Sequence, residues 1–443
     1  MDCHKSMPAR CRRGNRSEAF ARSPAGRALA CTAVTLLIWT ATLRAAPGGG
    51  RADEHVHTAL ETSGELTWPV LIEATLEHYP YFVELAARDE EASALLNRAR
   101  SWLSGQPGVA FRYQTDRPWD NADLREYELG IELPLWRVGE RRAAASLGDA
   151  ASAESHAAAL ALRHEIVGLL RTALWDIEAA VNVLAVARDG QRIAADLESV
   201  IERRYRAGEL PLSETLLMRS TTLEREAIVI DAEAQLVDAE RAYQSLTGLT
   251  ARPIEITEAP TDRDDFDSTH PLLMLADASL ERARADLELM RHAVKGTPAL
   301  TIGPRREQAA FSDYAADSLG VSFSMPFGGR THVTAEIAMA ARAATRAEAE
   351  RLGLLRRLDL DLHEARHGLL VIEDSLDLAQ RRSELAATSF AMSRQAFAQG
   401  EMTLLELLRR EETALLTQRE VAGLEVERHR AIAQINQAIG VWP

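Results

Sequence analysis

The sequence predicts a mainly helical protein with a small β part, built as a tandem duplication. Three observations predict it. The 443 residues include only 5% aromatics against 26% charged side chains, with few glycines or prolines inside long segments. That composition suits extended amphipathic helices. Residues 205–217 return as residues 397–409, an offset of 192 positions. Finally, short runs of period-two alternation recur at the same offset, interrupting the helical pattern twice.

The duplication needs no gap. Gly208 aligns with Gly400, Glu209 with Glu401, Leu212 with Leu404, Glu214 with Glu406, Leu216 with Leu408 and Gly248 with Gly440. Each copy is one structural unit that buries its apolar face against its neighbours. Within both copies an aromatic residue (Tyr205, Phe397) is followed three positions later by glycine, then by a polar pair and a new apolar run. This is the pattern of a helix stop, a tight turn and a helix restart. A helical hairpin is therefore expected in each copy.

Residues 1–46 differ from the rest. Lys5, Arg10, Arg12, Arg13, Arg16, Arg22 and Arg27 precede the apolar run 28–43, which ends at Arg44-Ala-Ala46. A basic leader, an apolar centre and small residues predict a signal peptide cleaved near Ala46. The run is short of the roughly 20 residues that a spanning helix needs. Cys3, Cys11 and Cys31 all lie in this leader, so the mature chain is expected to hold neither disulfides nor thiolate ligands. Its loss removes eight basic and two acidic residues from a chain already at −15. So acidic a chain is a poor nucleic-acid binder.

The first repeat is read as residues 47–249, the connection as 250–270 and the second repeat as 271–443. Residues 51–65 are polar and read as loose. Residues 66–80 carry apolar side chains at helical spacing and stop at Pro80, and 81–103 resume the helix before Pro107. A strand pair is expected over 107–136: Val109, Phe111 and Tyr113 alternate with small or polar residues, as do Tyr127, Leu129, Ile131, Leu133 and Leu135. Its counterpart over 298–327 pairs a weak strand at 299–303 with the alternation of Leu319, Val321, Phe323, Met325 and Phe327. Long hairpins follow over 140–247 and 331–440. In the second, Leu355, Leu362, Leu369 and Leu376 repeat every seven residues beside Leu358, Ala365, Ile372, Ala379 and Ala386. Leu170, Ile177 and Leu184 do the same in the first, predicting coiled-coil packing.

Four strands cannot close a barrel, and lipid does not tolerate an open sheet edge. If these strands span a membrane, several chains must contribute to one cylinder. The competing reading is a soluble periplasmic coiled-coil structural or adaptor protein with a small packed sheet.

The chain resembles the TolC-like outer-membrane efflux proteins, including those serving heavy-metal and drug exporters. The resemblance covers nearly everything after Leu66. It rests on the opening helix 66–80, the strand exits Glu132-Leu-Pro-Leu135 and Ser324-Met-Pro-Phe-Gly-Gly-Arg330, the turns Tyr205-Arg-Ala-Gly208 and Phe397-Ala-Gln-Gly400, and the endings Leu-Thr-Gly248 and Ala-Ile-Gly440. It implies a homotrimer whose twelve-stranded outer-membrane β-barrel, four strands per chain, continues into a periplasmic α-helical coiled-coil barrel. It also implies a passive exit duct for a tripartite efflux or type I secretion system, working with a periplasmic adaptor (membrane fusion) protein and an inner-membrane pump. Tyr205, Gly208, Leu212, Phe397, Gly400 and Leu404 would form the hairpin tips where the adaptor docks. Glu214 and Glu406, six residues beyond the turn glycines, stand where the family places an acid facing the closing aperture. Three copies of one carboxylate about a threefold axis attract cations. Arg409 occupies a position where the family often has a second acid, so a single acidic ring or a Glu406–Arg409 pair between chains is the expectation. The alternative places both on the outer surface, solvated.

His363-Glu-Ala-Arg-His367 matches the HExxH pattern of zinc hydrolases, with Glu364 as the base. The heptad context, Arg366 beside the supposed metal and the absence of any counterpart in the other copy favour a polar helix face. His55 and His57 are read as part of a mobile end. No enzyme activity and no cofactor are expected. The substrate is not legible.

Overall fold

The computed structural model describes residues 59–117, 119, 122–327 and 333–443. The signal-peptide reading, His55, His57 and the Gly328 to Arg330 part of the second strand exit lie outside the described residues. In order, the elements are β1 (Glu61–Ser63), α1 (Trp68–His78), α2 (Phe82–Arg100), β2 (Gly108–Thr115), β3 (Arg125–Pro134), α3 (Glu140–Arg206), α4 (Leu212–Thr247), β4 (Ala251–Pro253), α5 (Pro271–Ala293), β5 (Ala299–Gln308), β6 (Ala315–Ser324), α6 (Thr334–Gln399) and α7 (Leu404–Ile439).

Helix boundaries follow the punctuation of the sequence. Prolines stand in the first turns of α1 and α5, where a missing N–H costs nothing. The two long helices stop at Gly208 and Gly400, whose φ angles of 77° and 79° are left-handed. Around them Gly208 N donates to the Tyr205 carbonyl and Glu209 N to that of Arg204, and Gly400 and Glu401 repeat the pair on Phe397 and Ala396. Both are Schellman endings, which satisfy the last helical carbonyls. The hairpins then restart together: α4 and α7 have 36 residues each and begin 192 positions apart.

α3 is the axis of the chain. Its 67 residues span about 100 Å at 1.5 Å per residue. It packs on α2 and α5 along its first half and on α4 and α7 along its second, while α6 packs on α5 and α7. The heptad leucines and alanines face these contacts: Ile166, Leu170, Leu174 and Ile177 are fully buried, and Leu358, Leu362 and Ala379 line the α6 seam. Burying one such side chain contributes about 1.5–3 kcal/mol.

The second half of the fold is an antiparallel sheet in the order β2-β3-β5-β6. Its weakest expected strand is longer than the alternation suggested, because β5 runs to Gln308 and pairs with β6 along its whole length. A second departure concerns residues 51–65 and 250–270. Each contributes a short strand, and β1 and β4 pair in parallel from Glu61 with Ala251 to Ser63 with Pro253. Three-residue strands are too short to leave a periodic signal.

Candidate functional site: hairpin tips and an uncovered sheet

Cross-strand register sorts the sheet into two faces. Val109 lies opposite Ile131, Phe111 opposite Leu129 and Tyr113 opposite Tyr127, and the same face continues through Ile302, Val321 and Phe323. These side chains are exposed, Val109 at 78% and Leu319 at 73%. The opposite face carries Arg112, Glu126, Glu128, Glu132, Arg305 and Glu307, with a Glu126–Arg305 ion pair at 2.7 Å. Neither face is covered by another described element of the chain. β3, β5 and β6 have ten residues each, the length a tilted strand needs to cross a hydrocarbon layer. β2 and β6 remain as unpaired edges. Among the described residues no helix is long and apolar enough to cross a membrane.

At the other end of the helices the two turns meet. Ile201, Met218, Phe397, Leu404 and Leu407 form one buried cluster with Ala194 and Leu197. Arg204, in the last turn of α3, donates to the carbonyls of Phe397 (3.0 Å) and Ala398 (2.6 Å) and stacks 5.1 Å from the Phe397 ring. A cation on these last carbonyls also complements the helix dipole of α6. Sequence comparison alone missed Arg204, because its partners are backbone oxygens 193 and 194 positions away.

The duplicated tip residues do not share one environment. Phe397 and Leu404 are sealed in the tip cluster, whereas their counterparts Tyr205 and Leu212 are exposed. Glu406 closes a capping box on α7, accepting from Thr403 N at 3.1 Å and from the Thr403 hydroxyl at 2.8 Å. Those hydrogen bonds, helped by Arg409 and Arg410, hold its carboxyl below the usual range. Pro211 replaces Thr403 in the first copy and offers neither group. Glu214 is half-buried, and one of its oxygens has no partner among the described residues. Arg409 is exposed.

Two residues beyond Arg409 lies an unexpected acid. Glu411 is completely buried, and neither carboxylate oxygen accepts a hydrogen bond from the described residues. The nearest cation, Arg225 on α4, is 3.9 Å away. Gly190 of α3 packs close by: a Cβ there would meet Leu415 at 3.3 Å and Arg225 at 3.9 Å. Burial pushes the Glu411 carboxyl up, against the pull of Arg225. A raised carboxyl favours the folded state when protonated and opposes it once pH rises through its titration. Glu411→Gln is therefore expected to stabilise the chain by about 1–3 kcal/mol at pH 8. The gain disappears as pH falls below the titration of the carboxyl, as measured by thermal unfolding across pH.

The supposed zinc motif opens onto solvent. His363 and His367 are exposed, with ring centroids 6.3 Å apart. Among the described residues no group of three potential ligands gathers anywhere.

A polar knot absent from the sequence reading sits where the connection crosses the helices. Arg171 donates to both oxygens of Glu258, at 2.8 and 2.6 Å, with both side chains nearly inaccessible. It also reaches Gln437 and the Val441 carbonyl. Gln437 contacts His164 Nε2 and donates to the His164 carbonyl. Burial holds His164 down to about 4, so the ring is neutral at pH 7 and can accept from Gln437. The connection, an extended strap here, aligns at the same offset with helix α1 of the first copy, a difference the duplicated spacing conceals.

No family model and no curated protein matches the chain, but solved structures do. The outer membrane protein VceC of Vibrio cholerae gives a TM-score of 0.69 at 17% identity, covering 84% of this chain and 96% of that one. The CmeC outer membrane channel of Campylobacter jejuni gives 0.66 at 14% identity, over 84% and 85%. CusC, described for its folding and transmembrane channel formation, gives 0.66 at 16% identity, over 86% and 95%. The chain has the fold of these TolC-like outer-membrane channels, as the resemblance implied.

Proposed function

We propose that three copies of this chain form an outer-membrane exit duct, the passive last component of a tripartite efflux or type I secretion system. The observation that carries the reading is the four-stranded sheet with two unpaired edges, an exposed apolar face and an exposed polar face. Three such sheets close into twelve strands with the apolar faces toward lipid and the carboxylates toward water, removing every edge. The helices extend into the periplasm, toward an adaptor and an inner-membrane pump.

A second pattern supports assembly of copies. Exposed apolar residues recur every seven positions on α4, at Leu216, Leu223 and Ile230, and on α6, at Leu378, Leu385 and Met392. Counted from the turn glycines Gly208 and Gly400, the two series fall at the same distances of 8, 15 and 22 residues. The helices run antiparallel and flank opposite sides of the α3–α7 pair, so the stripes match in register only between neighbouring copies. Heptad stripes of this kind pack knobs into holes. The double variant Leu223→Cys/Leu385→Cys is expected to give disulfide-linked oligomers on a non-reducing gel. Leu223→Cys/Leu378→Cys, about 10 Å out of register, should give far fewer.

At the tips, Tyr205 and Leu212 offer an accessible surface for the adaptor. Phe397 and Leu404 support it from beneath, and Gly208 and Gly400 permit the turns. Glu406, Glu214 and Arg409 surround the aperture in this reading. Glu406→Ala is expected to lower cation preference and raise single-channel conductance in planar bilayers, because it removes a ring of charge and uncaps α7. Unchanged selectivity and block by cations would remove Glu406 from the gate. The duct itself is tested by extraction: a heat-modifiable trimer in outer-membrane fractions that forms pores supports it, and a water-soluble monomer overturns it.

A further inference from the structure

α5 begins at Pro271 and α7 ends at Ile439 with Gly440 as its cap, so the two helices meet end to end between α3 and α6. The join is tight, since a Cβ on Gly440 would lie 2.8 Å from the His270 ring. Beside it the helices leave a cavity of about 820 Å³. We propose that this cavity binds amphipathic organic cations, giving the duct a resting site for such cargo on its inner wall.

The volume falls in the range of sites for drug-sized ligands. Leu169, Trp175, Leu272, Leu358 and Ala433 supply an apolar floor. Gly168 keeps the α3 side open, since a Cβ there would come within 3.0 Å of Gln437 Nε2. The charges lining the cavity do not balance. Arg171 is consumed by Glu258, and Arg430 is paired through its two terminal nitrogens with Asp176 and Glu427, its Nε keeping no partner among the described residues. Glu165 accepts from the Tyr79 hydroxyl at 2.9 Å. Asp361 and Glu364, one turn apart on α6, have no partner among the described residues. The whole charges without an ion-pair partner at the rim are negative, and they stand beside an aromatic and aliphatic floor. That combination fits a cation carrying an apolar body, and it disfavours anions.

The acidic rim of the cavity lies on the flank of α6 turned away from the connection between the repeats. Arg366 donates to the Asp264 carbonyl and Leu362 packs on Phe266, so one flank of α6 is covered by that strap. At 3.6 residues per turn, Asp361 and Glu364 lie about 140° and about 160° around α6 from Arg366. A tube that carries the strap on its outside turns the cavity toward its lumen. The lumenal placement rests on the duct reading, whereas the cavity and its charge do not.

The test uses the purified protein in lipid nanodiscs, titrated with the lipophilic cation rhodamine 6G and followed by fluorescence anisotropy. Saturable binding is expected, at one site per chain. Asp361→Asn/Glu364→Gln should weaken it at least tenfold, and Leu169→Trp, which fills the cavity without changing charge, should do the same. The anionic dye fluorescein should not compete. Equal affinity in the wild type and in both variants, or non-saturable uptake alone, overturns the proposal. Conductance of the same preparations separates the two readings. Pores without specific dye binding remove the cavity site and leave the duct, whereas specific binding in a protein that forms no pore keeps the site and removes the duct.

Discussion

Gly303→Ala is expected to abolish assembly of the sheet, although it adds a single methyl group. A Cβ at this position would stand 1.8 Å from the Leu129 carbonyl oxygen and 2.6 Å from Gly130 Cα. Those atoms are backbone, so no rotamer change relieves the clash. The β3–β5 register shows the same crease: Glu128 pairs with Arg305 and Ile131 with Ile302, while the positions between them do not pair. Gly303 in turn lies opposite Gly320, and Gly130 opposite Ala110, so a row without large side chains crosses all four strands. Glycine kinks of this kind let a sheet bend toward closure. Overpacking a site that can relax costs about 1–3 kcal/mol, and this one cannot relax. The variant should yield no heat-modifiable trimer in the outer-membrane fraction. Gly353→Ala is the control, a helical position with nothing within 4 Å. It should assemble normally and gain about 0.5–1 kcal/mol.

Arg171→Met carries the second large effect. The Arg171–Glu258 pair is nearly inaccessible, with side chains at 5% and 6% exposure. Removing one member of a buried pair strands the other charge and costs about 3–5 kcal/mol. Glu258 would keep only the amide of Asn436, at 3.0 Å. The strap should then detach from α3 and α7, lowering the midpoint of thermal unfolding and exposing the peptide after Arg263 to trypsin. Arg171→Met/Glu258→Leu removes both charges and should recover most of the loss. If the single variant unfolds and digests like the wild type, the knot does not hold the strap.

Long-period features were the legible ones. Heptads over α3 and α6, glycine turns at Gly208 and Gly400, and alternation in β3 and β6 each repeat a local rule many times, and the duplication doubles every signal. The tip glycines and the two faces of the sheet followed directly. Interactions made once between distant positions stayed hidden: Arg204 on the ends of α6, Arg171 on Glu258, Glu411 beneath Arg225. Nothing in the local sequence of Glu411 separates it from Glu412, which is exposed. The cation nearest to Glu411, Arg225, stands on another helix, 186 positions earlier. Duplicated spacing also suggested equal roles for Tyr205 and Phe397, yet packing buries only one of them.

The equal length of α4 and α7 couples two stretches of gene that never touch in sequence. Deleting one residue from either helix would rotate everything beyond it by about 100° and draw its tip back by about 1.5 Å relative to the other. Both the buried tip cluster and the heptad seams would lose their alignment at once. Lengthening or shortening this protein is thus possible only in steps of about seven residues, made in all four long helices together.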